Sequence, residues 1–319
     1  MKSSAFVACL VFVAGLAFQS TPNAAEIQLH AASFQPESVS FAKYFYRWVR
    51  EVNARCDGQL EITVSGPDEI PSQLQWHALK EGRVDLYYGP ANYYRGALPH
   101  ADVLNLGHNE PADQRRNGAW EIMNALHNEL LNAWYLTSLS AGIQFFIYTT
   151  KPANDGRFNG FRLRAVPLYE GFLRTLGAKP QYMPASDVLA ALEEGSIDGY
   201  GWPLWSGGHG WEEFVKYRYG PGFLSTASPI LVNLDKWKAL TDGQRQCLTD
   251  MAIWVETKWP KWRATEDTLQ LEMLEEAGVE FVDLGAEFAR KPEEIYWGML
   301  NKAQPDYVRR VKPMFTSDN

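Results

Sequence analysis

Between Phe161 and Trp202 the sequence alternates strand and helix signals so closely that few folds can hold it. Apolar and charged residues alternate from Phe161 to Val166, the period of a strand, and Pro167 closes the run. Tyr169, Phe172, Leu173 and Leu176 then recur at helical spacing up to Gly177, a residue suited to a C-terminal cap. A second strand is expected at Pro180 to Met183. Ser186 is placed to N-cap a helix carrying Val188, Leu189 and Leu192 as far as Gly195, and a third strand runs from Ile197 to Trp202. The unit is βαβαβ. Ligands of open α/β sheets settle at the carboxyl ends of strands, where Arg164 and Trp202 both fall. A guanidinium there offers a planar fork that matches a carboxylate bidentately.

The N-terminal part repeats this order. A strand at Glu26 to Ala31 precedes Ser38 and an amphipathic helix whose Phe41, Tyr44, Phe45, Trp48, Val49 and Val52 share one face. Asp57-Gly58 turns into a strand at Leu60 to Val64, a helix runs from Ser72 to Gly82, and Leu86 to Gly89 forms the next strand. Two similar α/β lobes are implied. The loop Gly89 to Gly96 carries Asn92, Tyr93 and Tyr94 beyond Tyr88 at the strand end. Rings tipped with hydroxyls suit a pocket wall that must also hydrogen-bond; the alternative is that they pack the loop down.

Further along, a helix is expected from Asp113 to Trp134, with Trp120, Met123, Leu126, Leu130 and Trp134 turned inward, then a strand at Ile143 to Thr149. Gln144 near its start could donate to a ligand oxygen beside Arg164. The segment from Trp202 to Trp211 is loop-like and dense in tryptophan, and Trp205 joins the expected aromatic walls. After a strand at Ile230 to Asn233, Thr241 starts a helix with a kink at Pro260 that reaches Ala277, with Trp254, Trp259, Trp262, Leu269 and Leu274 as its buried positions. A strand at Val279 to Leu284 and a helix from Pro292 to Val311 complete the chain. Lobe I then takes residues 26–141 with a return segment at 229–265, and lobe II takes 142–228 with 266–319.

Met1-Lys2, the apolar run Ala5 to Phe18 and the segment Gln19 to Ala25 read as a secretory signal peptide over residues 1–25, implying export to an oxidising compartment. Without that leader, which carries only Lys2, 29 basic residues face 38 acidic ones, a net charge of −9. Such a balance argues against nucleic acid as a partner. Cys56 and Cys247 remain after the leader, and their spacing leaves both pairing and two free thiols open.

The sequence completes no catalytic pattern. Leu204-Trp205-Ser206-Gly207-Gly208 lacks the first glycine of a nucleophile elbow, no phosphate-cradling glycine loop is present, and the histidines have no metal spacing. His209 alone reads as structural. No catalytic residue and no metal ligand are assigned.

Gly160-Phe161-Arg162-Leu163-Arg164, Leu176-Gly177-Ala178 and Leu189 to Gly199 resemble the signature of extracytoplasmic solute receptors of TRAP transporters, in which a periplasmic receptor hands organic acids to a membrane permease. Lys216 to Phe223 and Val232 to Trp237 are most similar to the branch that takes 2-oxo acids, lactate and related monocarboxylates. The resemblance implies a two-lobed periplasmic binding protein fold with crossing hinge strands and a long helix spanning both lobes. It gives Arg164 the carboxylate, Gln144 a contact with ligand or cation, and Trp202 a wall of the site. The partners implied are a small organic anion and the TRAP permease subunits. Where that branch has a cation-holding glutamate this chain has Gly201, so bound sodium or calcium is disfavoured, no cofactor is expected, and the glycine leaves space for a larger ligand group. A secreted two-lobed enzyme acting on a carboxylate is the alternative.

Overall fold

The structure is a computed structural model that describes residues 27–154, 156–206 and 209–316; the leader expected at 1–25 lies outside the described residues. Two sheets carry the two lobes. The first is built from β1 (Ile27–Ser33), β2 (Leu60–Ser65), β3 (Leu86–Tyr88), β4 (Ala133–Leu139) and a later strand, β10 (Ser228–Asn233), in the order β2-β1-β3-β10-β4. The second contains β5 (Phe145–Thr149), β6 (Arg162–Ala165), β7 (Lys179–Tyr182), β8 (Gly199–Pro203), β9 (Tyr217–Gly220) and β11 (Glu280–Asp283), in the order β11-β9-β5-β8-β6-β7. In each sheet the βαβαβ unit supplies three parallel strands, and the strand that arrives from elsewhere pairs antiparallel beside them.

Helix α1 (Ser40–Arg55) buries Phe41, Tyr44, Phe45, Trp48, Val49 and Val52, the stripe its spacing dictates. Each such side chain contributes about 1.5–3 kcal/mol when removed from water. The shorter helices are α2 (Gln75–Lys80), α3 (Val103–Leu106), α4 (Pro111–Asn117), α5 (Ala119–Leu131), α6 (Glu170–Thr175), α7 (Val188–Glu193) and α8 (Leu234–Ala239). Helix α9 (Asp242–Glu276) has 35 residues, about 50 Å at the usual rise. Its start is held by a reciprocal cap: Thr241 Oγ1 accepts from the Gln244 N–H at 3.2 Å, and Gln244 Oε1 accepts from the Thr241 N–H at 2.9 Å. The helix stays continuous through Pro260. Cys56, just past α1, forms a disulfide with Cys247 on α9, which decides the question that their spacing leaves open. Helices α10 (Ala286–Ala303) and α11 (Pro305–Phe315) end the described chain. Among the described residues no helix is long and apolar enough to cross a membrane.

Several expectations need correction. The helix expected over Asp113 to Trp134 is two helices, divided at Gly118 (φ +89°), and it stops at Asn132 (φ +50°). Trp134 belongs instead to β4, whose burial on both faces removes the alternation that would have marked it. Strand β9 was not foreseen. On α9, Leu269 is 48 % exposed rather than buried, because the lobes cover only one side of the helix. Ser186 lies inside a 3₁₀ turn and bonds Asp187 Oδ1, so it caps no helix. The single C-terminal helix divides before Pro305, whose ring suits only a first turn.

The chain crosses between the sheets from β4 to β5, from β9 to β10, and along α9. The two strand crossings zip together: Phe145 N–H donates to Leu224 O at 2.8 Å, Phe223 N–H to Phe145 O at 3.0 Å, and Thr226 N–H to Ile143 O at 2.8 Å. This paired ribbon is the hinge.

Candidate functional site

Between the lobes, against the hinge ribbon, lies a cavity with about 500 Å³ of empty space counted to its open mouth. Phe34, Phe41, Phe145, Tyr93 and Trp202 make its walls largely aromatic; Asn92, Asn105, Tyr169, Thr226 and Ser228 add polar groups. Arg164 is the one charged residue among the described residues that line it.

Strand β6 delivers Arg164 to the carboxyl end of its sheet, where the side chain is 4 % exposed. Its Nε donates to the Met183 carbonyl at 3.2 Å, its Nη1 to the Tyr169 hydroxyl at 3.1 Å and more distantly to the Gly201 carbonyl at 3.5 Å. The guanidinium carbon stands 5.0 Å from the Trp202 ring centre, within cation–π range. All these partners are neutral. A buried cation surrounded only by neutral groups is costly, and a ligand anion relieves that cost.

Arg162, two residues earlier, shows what a satisfied arginine looks like. It bonds Asp198 through its backbone N–H at 2.9 Å and its guanidinium at 3.1 Å, while Lys151 reaches the same carboxylate at 2.9 Å. Burial would raise the Asp198 carboxyl, but the bonds from Arg162 and Lys151 outweigh it and hold the group well below the usual carboxylate range. Sequence alternation puts both arginines on one face; only the tertiary environment separates a strut from a free cation.

Of the eight residues singled out from sequence, Arg164, Trp202, Asn92 and Tyr93 line the cavity. Burial pushes the Tyr93 hydroxyl up to about 12, with the Arg164 charge acting the other way, so it enters the site as a neutral donor. The other four lie elsewhere. Tyr88 is fully buried against Phe45, rings 4.5 Å apart, and its hydroxyl bonds the Phe41 carbonyl at 2.7 Å. Tyr94 turns into the core and shares a 3.0 Å bond with His127. Trp205 is fully buried among Phe41, Tyr44 and Trp259, with its Nε1 donating to Asp267 at 2.6 Å. Gln144 sits on the hinge ribbon and donates to Ser225 Oγ at 2.8 Å. In each case a protein acceptor already holds the polar group.

Gly201 also departs from expectation. A Cβ there would lie 2.6 Å from Tyr169 Cε2, and the Gly201 carbonyl accepts from the Tyr169 hydroxyl at 2.6 Å. The space that the glycine leaves is filled by Tyr169, which in turn steadies Arg164, so no room for a larger ligand group results. Among the described residues no group of three or more His, Cys, Asp or Glu side chains could hold a metal ion.

Sequence reasoning missed Tyr169, Asn105, Phe34, Phe145 and the hinge residues Thr226 and Ser228. Tyr169 looked like one position of a helical stripe, and the others have no local pattern. His209 stacks on Trp211 at 4.3 Å and meets Trp202 edge-on at 5.5 Å. It lines a second cleft that shares Phe34 and Tyr93 with the cavity. Burial, helped by the Arg164 charge, lowers it to about 4.

Two lobes on a paired hinge, a spanning helix and an interlobe cavity with one buried guanidinium define a solute-binding protein of the two-lobed class. The family model for bacterial extracellular solute-binding proteins, family 7 (DctP), matches residues 31–296, and the chain belongs to that family. Solved structures agree on the fold. A marine metagenome TRAP solute binding protein specific for aromatic acid ligands, solved with 3-hydroxybenzoate, is 21 % identical over 92 % of this chain and 98 % of its own, with a TM-score of 0.77. A Bordetella pertussis extracytoplasmic solute receptor binding pyroglutamic acid is 17 % identical over 91 % and 99 %, also at 0.77. A TRAP periplasmic solute binding protein from Pseudomonas putida F1 with bound D-glucuronate is 18 % identical over 90 % and 97 %, at 0.76. The family is one of receptors, and the enzymatic alternative falls away.

Proposed function

We propose that this protein is the periplasmic receptor of a TRAP transporter, capturing a small organic monocarboxylate at Arg164 and presenting it to a membrane permease. The observation that carries the proposal is a buried guanidinium with neutral partners as the one charge in an aromatic-walled cavity. One positive charge calls for one negative charge, and the walls of Phe34, Phe41, Phe145 and Trp202 suit a largely apolar body. The 2-oxo and 2-hydroxy acids to which the sequence points meet both requirements. The similar receptors described above bind acids of differing body, which supports the carboxylate and leaves the body to the walls of each cavity. Lobe closure over the hinge would exclude water and strengthen the ion pair.

Thermal denaturation of the purified protein with a panel of mono- and dicarboxylates tests the idea. A true ligand at a hundred times its Kd adds about 2.7 kcal/mol, which for a chain this size raises Tm by roughly 4 °C. Monocarboxylates should produce the shift, and Arg164→Ala should abolish it. Undiminished binding by that variant would overturn the reading.

A further inference from the structure

Asn105 lies on α3, in the wall of the cavity, and is 3 % exposed. Its Nδ2 donates to the Ser225 carbonyl at 2.9 Å, and the Ser225 N–H donates to the Asn105 carbonyl at 3.1 Å. The residue is thus tied to the hinge ribbon by both its side chain and its backbone. That pairing also decides which end of the amide is which, because a flipped amide would set Oδ1 against the Ser225 carbonyl, acceptor against acceptor. Oδ1 is the remaining end, and it has no hydrogen-bond partner. Among the described residues, it is the one buried, unpaired side-chain atom that belongs to a residue of this cavity.

Buried acceptors almost always have a donor. No donor of the wall reaches it, and two wall hydroxyls are already engaged: Thr226 donates to the Ser140 carbonyl and Tyr169 to the Gly201 carbonyl. The cavity wall therefore holds two unlike residues, a cationic donor at Arg164 and, at Asn105, a buried amide whose acceptor is unpaired.

We infer that the solute carries, besides its carboxylate, a hydroxyl or N–H group that donates to Asn105 Oδ1. This rests on the carboxylate reading above and narrows it. Hydroxy acids and acids bearing an amide or amine N–H satisfy both residues. A 2-oxo acid sets a carbonyl oxygen against Oδ1 and leaves two acceptors facing each other, so of the two acid classes suggested by the sequence, the hydroxy acids fit.

Isothermal titration calorimetry on the purified protein with matched acids tests this. Suitable pairs are lactate with pyruvate, mandelate with phenylglyoxylate, and 3- and 4-hydroxybenzoate each with benzoate. The donor-bearing member of at least one pair should bind about tenfold tighter or more, since a site built to pair a hydroxyl rejects the analogue that lacks it. In Asn105→Leu that preference should shrink to about twofold or less; because the variant also loses the Nδ2 bond to Ser225, the readout is the affinity ratio within each pair and not the absolute affinity. Asn105→Ala gives the same comparison should the leucine variant not fold. If acids bind but no pair discriminates in the wild-type protein, the inference is wrong and the carboxylate reading stands. A preference retained in both variants also overturns it. If no acid of the panel binds, the carboxylate reading fails and the inference with it.

Discussion

Arg115 and Arg164 both stand beside a tryptophan ring, at 4.7 Å from Trp120 and 5.0 Å from Trp202, yet their surroundings differ in kind. Arg115, on α4, grips Glu256 of α9 through three hydrogen bonds of 2.8–3.0 Å, and its Nη2 also reaches the Leu136 carbonyl at 2.6 Å. Thr137 donates to the same carboxylate at 2.7 Å. Arg164, more deeply buried, has carbonyls and a hydroxyl instead. The fold neutralises the cation that ties α9 to the first lobe and leaves unneutralised the cation that faces the cavity. A third basic side chain, His127, avoids the problem by staying neutral: Nδ1 donates to the Met123 carbonyl at 2.7 Å, and Nε2 accepts from Tyr94 at 3.0 Å. The comparison teaches that burial of a base is no sign of function until its partners are counted.

The largest effect should come from breaking the paired site. Glu256→Gln leaves Arg115 half-buried without its anion and should cost about 3 kcal/mol, seen as a lower midpoint in denaturant unfolding. Arg164→Ala should do the reverse. Its ligand affinity should fall on the order of a hundredfold by calorimetry, while the ligand-free midpoint moves by less than that of Glu256→Gln. A ligand-free loss as large as that of Glu256→Gln would mean Arg164 is a strut after all. Gly201→Ala sharpens the contrast from inside the cavity. The new methyl would press on the Tyr169 ring and unsettle Arg164, at a cost of about 1–3 kcal/mol in stability and with weaker binding, both readable in one thermal-shift series.

The most gradual effect is the pH dependence of the neutral base, which grows only as the pH falls. Burial lowers His127 to about 4, against the 6.5 of an exposed imidazole, with the Met123 carbonyl opposing the shift. Between these values the unfolded chain binds a proton that the folded chain does not. Stability is therefore full above pH 6.5 and is lost as pH falls toward 4, by up to about 1.4 kcal/mol per unit from this residue. His209, also lowered to about 4, acts with the same sign. Unfolding midpoints at pH 7 and pH 5 measure the slope, which His127→Gln should reduce.

Much of the fold was legible because its signals are local. The alternation around Arg164, the aromatic stripe of α1 and the capped start of α9 each occupy one element and need no partner to be read. Strand β4 was not legible, since a strand buried on both faces lacks a period and the preceding helical spacing runs straight into Trp134. Half of the candidate site failed for a related reason. Tyr88, Tyr93 and Tyr94 are near neighbours of one chemical type, and the strand end and following turn send one into each core and one to the cavity.

By itself the sequence determined that this chain forms two α/β lobes with a guanidinium at a strand end, because strand and helix periods, turn glycines and caps act over a few residues. The tertiary structure decided which arginine keeps a carboxylate and which does not, that Gly201 makes room for Tyr169, that Gln144 belongs to the hinge, and that Asn105 stands in the cavity wall with a buried acceptor unpaired. Those outcomes depend on groups tens to hundreds of residues apart meeting at one point, and no local pattern encodes such a meeting.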